Sequence, residues 1–274
     1  MSSPNQAEQN AVQVTYPSQG ITLITISRPH RRNAVNAATA QLLYEAITTF
    51  EDDPLQKIAI LTGANDTFVA GFDLHTVEAS SSNIHYPLDS VHRTIGPMGP
   101  SRLQVKKPLL CAVSGYAVAG GLELSLLGDM RIVDEDAIFG VFCRRWGVPL
   151  IDGGTVRLQR IVGLGRALDM ILTGRPVDAK EALSMGLANR VVPKGKALDE
   201  TVKLAKQLLE FPQLCMNLDR ASCYNAAYDA ESFTAAMQYE IDRGMQAVAA
   251  EGAAGAKRFS KEKVGRGGVF PGKL

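Results

Sequence analysis

The segment Ala112-Val113-Ser114-Gly115-Tyr116-Ala117-Val118-Ala119-Gly120-Gly121-Leu122-Glu123-Leu124 carries the most chemistry in this chain. A strand ending near Val113 runs through a glycine-containing turn into a helix that opens at Gly120-Gly121. The first N–H groups of a helix have no partner within it and carry partial positive charge, so they favour an anion. Adjacent glycines leave no Cβ in the way of an approaching ligand oxygen. Glu123 lies three residues beyond Gly120, on the same face one turn on. An anion-stabilising N–H beside a carboxylate is what enolate chemistry needs. In isolation, the same G-G-x-E is better read as tight helix packing with Glu123 on a solvated face.

Two further segments have chemical content. In Phe68-Val69-Ala70-Gly71-Phe72-Asp73-Leu74 a short strand meets a glycine turn and then an Asp able to cap a helix. The N–H of Phe72 would be exposed at that turn, although an ordinary strand–helix connection reads the same way. Arg31-Arg32-Asn33-Ala34-Val35-Asn36, after Ser27-Arg28-Pro29, offers basic side chains and a polar loop just before a helix.

The elements that must position these segments alternate between strand and helix. Val12 to Tyr16 and Ile21 to Ile26 flank a Ser18-Gln19-Gly20 turn and predict a hairpin. Leu42, Leu43, Ala46, Ile47 and Phe50 keep a helical period behind Asn36 as cap. Lys57 to Leu61, Leu109 to Val113 and Met130 to Val133 read as buried strands, which argues for an α/β layer structure. Ser80 to Pro100, rich in Ser, Pro and Gly, is the expected mobile loop. From Asp178 onward strand signals nearly vanish, and helices are expected at Asp178 to Met185, Ala197 to Glu210, Pro212 to Tyr228 and Glu231 to Arg243. Such amphipathic helices need an apolar surface, either the core or another subunit. The expected boundary separates a core at 1–195 from a helical region at 196–274, whose end from Lys263 to Leu274 should fray.

Composition excludes several classes of partner. Lys plus Arg is 29 against 28 for Asp plus Glu, a net charge of +1, which gives no polyanion-binding surface and no nucleic-acid partner. Cys111, Cys143, Cys215 and Cys223 form no C-x-x-C pair and no zinc spacing, so no metal is expected and a reducing compartment is. Met1 to Asn10 lacks a signal-peptide pattern, and Leu109 to Val113 is far too short for a membrane span. These features read as a cytoplasmic chain. Gly272-Lys273-Leu274 misses the S-K-L peroxisomal address by one residue.

Taken together, the motifs resemble the crotonase (enoyl-CoA hydratase/isomerase) superfamily. Its opening pattern of Pro, a basic residue and Asn-Ala-x-Asn is met from Pro29 to Asn36, and F-x-A-G-x-D-[LI] from Phe68 to Leu74. G-x-x-x-G-G-x-x-E-[LIA] is met within Gly115 to Leu124, with Ala119 in place of a common Gly, and Asp129 closes the helix. Phe139-Gly140, Gly153-Gly154-Thr155, Leu172-Thr173-Gly174 and Gly186-Leu187 continue the order, so the match runs from about Val12 to Pro193.

The resemblance implies a ClpP-like spiral of ββα units followed by a helical C-terminal trimerisation region, assembled as a homotrimer or hexamer. It implies an oxyanion hole from the N–H groups of Phe72 and Gly120. Contacts to coenzyme A would come from Arg31, Asn33, Ala34, Ala70, Asp73 and Leu74, with Phe259 and Lys261 as further candidates. The substrate would be an acyl-CoA thioester, with no separate cofactor. Glu123 matches the first of two catalytic glutamates, but Cys143 stands in the place of the second, in Phe139-Gly140-Val141-Phe142-Cys143. A thiol with an ordinary pKa near ~8.5 is mostly neutral at pH 7. It could be a nucleophile if Arg144 or Arg145 lowered its pKa, or a packed thiol. Asp152 could supply the missing acid or cap the helix beginning at Gly153. Arg144 and Arg145 could bind a substrate carboxylate bidentately, or be surface residues or pair with Glu and Asp partners, and Trp146 could line the acyl pocket or belong to the core. The leading expectation is hydration of a 2-enoyl-CoA or its reverse. Isomerisation, decarboxylation or thioester hydrolysis on the same site is the alternative, and a non-catalytic CoA-binding protein a third.

Overall fold

Strand β1 (Val12–Ser18) and strand β2 (Ile21–Ile26) form the expected hairpin, Val12 opposite Ile26, and turn at Gly20 with φ 83°. The computed structural model describes residues 10–75 and 95–262. After the hairpin come α1 (Ala37–Asp52), β3 (Ile58–Gly63), β4 (Leu109–Val113), β5 (Tyr116–Val118) and α2 (Gly120–Ser125). Then follow β6 (Met130–Asp134), β7 (Ile138–Gly140), a 3-10 turn at Phe142–Trp146, α3 (Gly154–Val162) and α4 (Leu164–Thr173). The series ends with β8 (Val177–Asp178), α5 (Ala179–Ser184), β9 (Arg190–Val192) and α6 (Ala197–Leu209). The Asn36 side chain caps α1 as expected, accepting from Thr39 N–H, and that of Asp178 caps α5, accepting from Glu181 N–H.

The large sheet runs β1-β2-β3-β4-β6-β9, parallel throughout after the β1–β2 hairpin. Its central strands read as continuous apolar runs because both faces are covered. Leu109, Cys111 and Val113 face a core shared with Leu43, Ile47 and Phe50 of α1. Leu110 and Ala112 face Ala197, Leu204 and Ala205 of α6. Helix α6 therefore belongs to the sheet it covers. The chain accordingly divides into the units Met1–Leu209 and Glu210–Leu274, later than the boundary drawn from the sequence. Strand β9 is an edge strand of three residues, too short and too mixed to show a period.

A second, three-stranded sheet pairs β5 with β7 in parallel and β7 with β8 antiparallel. The chain repeats one step: β4 enters the large sheet, β5 the small one, and α2 follows. Strands β6 and β7 and helix α3 repeat it, which is a spiral of ββα units. Parallel bridges Val69 to Ala117 and Val35 to Phe72 set the Phe68–Leu74 segment beside β5.

The second unit contains α7 (Gln213–Tyr224), α8 (Phe233–Ala247) and α9 (Ala253–Glu262), joined through π-helical turns at Asn225–Asp229 and Val248–Gly252. Glu251 accepts from the N–H groups of Leu214 and Cys215 at the start of α7. Phe233, Met237, Ile241 and Met245, four residues apart on α8, are all exposed. Among the described residues no helix is long and apolar enough to cross a membrane.

Most of the Ser80–Pro100 loop and the tail from Lys263 lie outside the described residues. Gly96 to Pro100, at the end of that loop, is buried rather than loose, and Gly96 and Gly99 exchange backbone hydrogen bonds of 2.7 and 2.8 Å.

Candidate active site

The bridge between Val35 and Phe72 leaves one amide over. Val35 donates to Gly71 O at 2.9 Å and accepts from Asp73 N–H at 2.8 Å, so the Phe72 N–H between them is passed by. The Gly120 N–H opens α2 and has no turn before it to bond. Among the described residues neither N–H has a hydrogen-bond partner. Gly71, at φ +110°, packs against the start of α2: a Cβ there would stand 2.9 Å from Ala119 Cβ and 3.3 Å from Gly120 N. Two unpartnered donors thus come from segments in contact, as an oxyanion hole requires. Ala119 holds φ 52°, ψ −126°, a conformation costly for a residue with a Cβ, and donates to Gly140 O at 2.8 Å.

The glycine pair serves packing more than ligand access. A Cβ on Gly120 would stand 2.7 Å from Met98 Sδ, and one on Gly121 would fall onto the Val69 carbonyl oxygen. The space beside both glycines is filled by protein, which corrects the reason read from the sequence.

Glu123 is not on a solvated face. It is 2% exposed, and its Oε1 accepts from Asp152 N–H at 2.9 Å and Gly154 N–H at 2.8 Å, the latter at the N-terminus of α3. Oε2 has no hydrogen-bond partner among the described residues. Burial first, then the Asp152 charge, push its pKa from the ordinary 4.5 up to about 7, against the two amides and Arg157. A buried carboxyl near neutrality, with one oxygen fixed and the other open, can exchange a proton at physiological pH.

The Asp152 side chain is also buried, at 3% exposed, and one of its two oxygens is engaged. Its Oδ1 accepts from Met98 N–H at 3.0 Å and from the Ser101 hydroxyl. Burial raises its pKa, and the Ser101 hydroxyl and Met98 amide oppose that rise. Cys143 is half-buried in the 3-10 turn; burial and the nearby Glu123 charge raise the thiol's pKa, so Arg144 does not make it a thiolate.

Arg144 and Arg145 are both exposed, as the surface reading has them. The Arg144 Nε donates to Ile171 O and Arg145 Nη2 to Gly174 O, both at 3.1 Å, at the C-terminal end of α4. Cations suit that end of a helix. Trp146 is 73% exposed, so it is not core.

In the proposed coenzyme A loop, the Asn33 side chain is wholly buried and donates to Ala64 O and Thr67 O while accepting from Arg28 N–H. Asp73 forms an ion pair with Arg28 at 3.1 Å, both nearly buried. These two side chains hold the loop's shape and are not free for a ligand. Arg31 and Leu74 are exposed, Ala34 is buried, and Ala70 N–H donates to Arg32 O. Phe259 is exposed on α9, and the side chain of Lys261 lies outside the described residues. Among the described residues no group of three or more His, Cys, Asp or Glu could hold a metal ion.

A family model described as enoyl-CoA hydratase/isomerase matches residues 17–262. The chain belongs to this family. It is 38% identical over 195 residues to an enoyl-CoA hydratase of Mycobacterium tuberculosis, covering 68% of this chain and 71% of that one. It is 33% identical over 230 residues to the crotonyl-CoA hydratase of Syntrophomonas wolfei, covering 82% of each. The crystal structure of an enoyl-CoA hydratase from Mycobacterium tuberculosis superposes with a TM-score of 0.83 at 28% identity, covering 92% and 96% of the two chains. The fold is the crotonase fold.

Within this family member, Met98, Ser101 and Arg157 were not picked out from sequence. Arg157 donates to the carbonyls of Ser101, Asp152 and Leu103, bracing the turn at Pro100–Arg102 against α3. No local pattern marks them, because every partner but the Asp152 carbonyl, five positions before Arg157, lies some fifty positions away.

Proposed function

We propose that this chain adds water to a 2-enoyl-CoA, or removes it from the product, through a thioester enolate held by the N–H groups of Phe72 and Gly120. The carrying observation is the Glu123 carboxyl, buried one turn beyond Gly120 with Oε1 fixed by two amides and Oε2 open. The thioester oxygen accepts the two N–H groups, which withdraws charge from the conjugated double bond. Glu123 takes a proton from water at Oε2, and the water oxygen bonds to Cβ. The π electrons move onto the thioester as an enolate, stabilised by the hole. Glu123, now protonated, returns that proton to Cα, and the oxygen electrons return to the carbonyl. No charge is left over, and Cys143 need not act.

Arg31 and Leu74, exposed beside the hole-forming segments, would contact the nucleotide part of coenzyme A, with the backbone at Ala34 and Ala70 shaping the loop. The unpartnered stripe on α8 supports self-association as a homotrimer or dimer of trimers. Isomerisation is the second reading: a lone Glu123 moving a proton between two carbons suits the Cys143 position. The Arg pair gives little support to a carboxylated acyl group, since each guanidinium bonds a carbonyl at the end of α4.

The test is loss of the conjugated absorbance of crotonyl-CoA with the purified protein, and the mass of the product. Gain of one water, falling by about 10²–10⁴-fold in Glu123→Gln, is expected. Turnover retained by Glu123→Gln would overturn the reading, and a product of unchanged mass would favour the isomerase.

A further inference from the structure

Asp152 touches the site twice, through different atoms. Its main-chain N–H donates to Glu123 Oε1 at 2.9 Å, while its Oδ1 is held by the Met98 amide and the Ser101 hydroxyl. Met98 in turn faces the other half of the site, since a Cβ on Gly120 would stand 2.7 Å from its sulfur. The receptor for the Asp152 carboxyl is well built. Gly96 and Gly99 close a tight turn, Gly99 at φ +76°, and a Cβ on Gly96 would stand 2.7 Å from Asp152 Oδ1. Arg157 fixes the same turn from the other side through Ser101 O and Leu103 O.

We propose that Asp152 is a positioning residue, a pin that locks the Gly96–Ser101 turn beneath the site and so sets the Glu123 carboxyl and the Gly120 N–H in register. On this proposal it is not the second acid: its Oδ1 is held at the turn by the Met98 amide and the Ser101 hydroxyl. Its negative charge also tunes Glu123, because it disfavours a second charge on the adjacent carboxyl. The proposal rests on the hydratase reading for its kinetic arm only.

Asp152→Asn keeps an oxygen to accept from Met98 and Ser101 but has no charge and no acidic proton. Asp152→Ala keeps neither. On crotonyl-CoA, Asp152→Asn is expected to retain kcat within about tenfold, with the inflection of its pH profile moved to lower pH. Asp152→Ala is expected to lose about 10²-fold or more in kcat, and the Asn variant thus to rescue it. A kcat in Asp152→Asn as low as in Asp152→Ala would overturn the proposal, because proton transfer would then need the carboxyl itself. Full activity in Asp152→Ala would overturn it as well.

The independent arm needs no turnover. Protein carrying glutamate labelled with carbon-13 at Cδ is titrated by NMR, with Glu123 assigned by Glu123→Gln. Glu123 should titrate lower in Asp152→Asn than in the wild type; an unchanged titration overturns the proposal. If Asp152→Ala does not fold, Ser101→Ala replaces it, removing one of the two bonds and keeping the charge. It should lower kcat several-fold at unchanged KM; an unchanged kcat would count against the pin. If the wild type turns over no enoyl-CoA, the hydratase reading fails, while the NMR arm still tests the Asp152 charge at Glu123.

Discussion

The N–H of Gly154 donates to Glu123 Oε1 at 2.8 Å, and a Cβ on Gly154 would stand 2.8 Å from that same oxygen. The carboxyl therefore lies directly on the N-terminus of α3, where the helix's first donors and partial positive charge hold its charged form. Gly154→Ala should push the carboxyl off that seat. The expected result is a fall of about 10²-fold in kcat on crotonyl-CoA with the circular dichroism spectrum kept. Normal turnover would show that the seat is not required.

Burial pulls Glu123 the other way, to a pKa of about 7. The charged form is the one that takes a proton from water, so kcat/KM for hydration should rise with pH and level off above an inflection near 7. A flat profile between about pH 5.5 and 8.5 would contradict this assignment.

The same shift has a consequence for stability, with the sign opposite to that of a salt-bridged acid. The folded state holds the Glu123 proton more tightly than the unfolded chain, whose pKa is the ordinary 4.5. Stability from this group is complete below 4.5 and is lost as pH rises to about 7. Glu123→Gln should therefore gain on the wild type between pH 5 and pH 8, by up to about 3 kcal/mol in urea unfolding. An equal difference at both pH values would mean that the carboxyl is solvated.

Arg28 and Asp73 form the buried ion pair that shapes the loop before α1. Removing one charge of a buried pair is costly, so Asp73→Asn or Arg28→Met should cost about 3–5 kcal/mol. Guanidinium unfolding midpoints measure it, and a cost below about 1 kcal/mol would mark the pair as solvent-screened.

Cys143 stays neutral beside Glu123. Cys143→Glu would add a second carboxylate there, and the two charges would repel. The pH inflection for hydration should move upward, and a downward move would place the new carboxylate elsewhere.

What the sequence determined is local. Gly120 and Glu123 one turn apart put a helix-start N–H and a carboxylate on one face, because the helix period alone requires it. The buried strand at β4 and the cap at Asn36 were legible as well, from a short apolar run and from a polar residue just before a helical period. The tertiary structure decided everything that depends on a distant partner. Parallel bridges bring Gly71 to Ala119, so the second donor meets the first. Asn33 and Asp73, polar residues in a loop, turned inward because Arg28 and distant carbonyls satisfy them. Asp152 was recognisable as an acid near the site, but its direction is set by Ser101 and Met98, more than fifty positions earlier. Glu123's proton affinity belongs to the fold as well. A sequence names the carboxyl, but only the packing around it removes the water that would have kept it an ordinary acid.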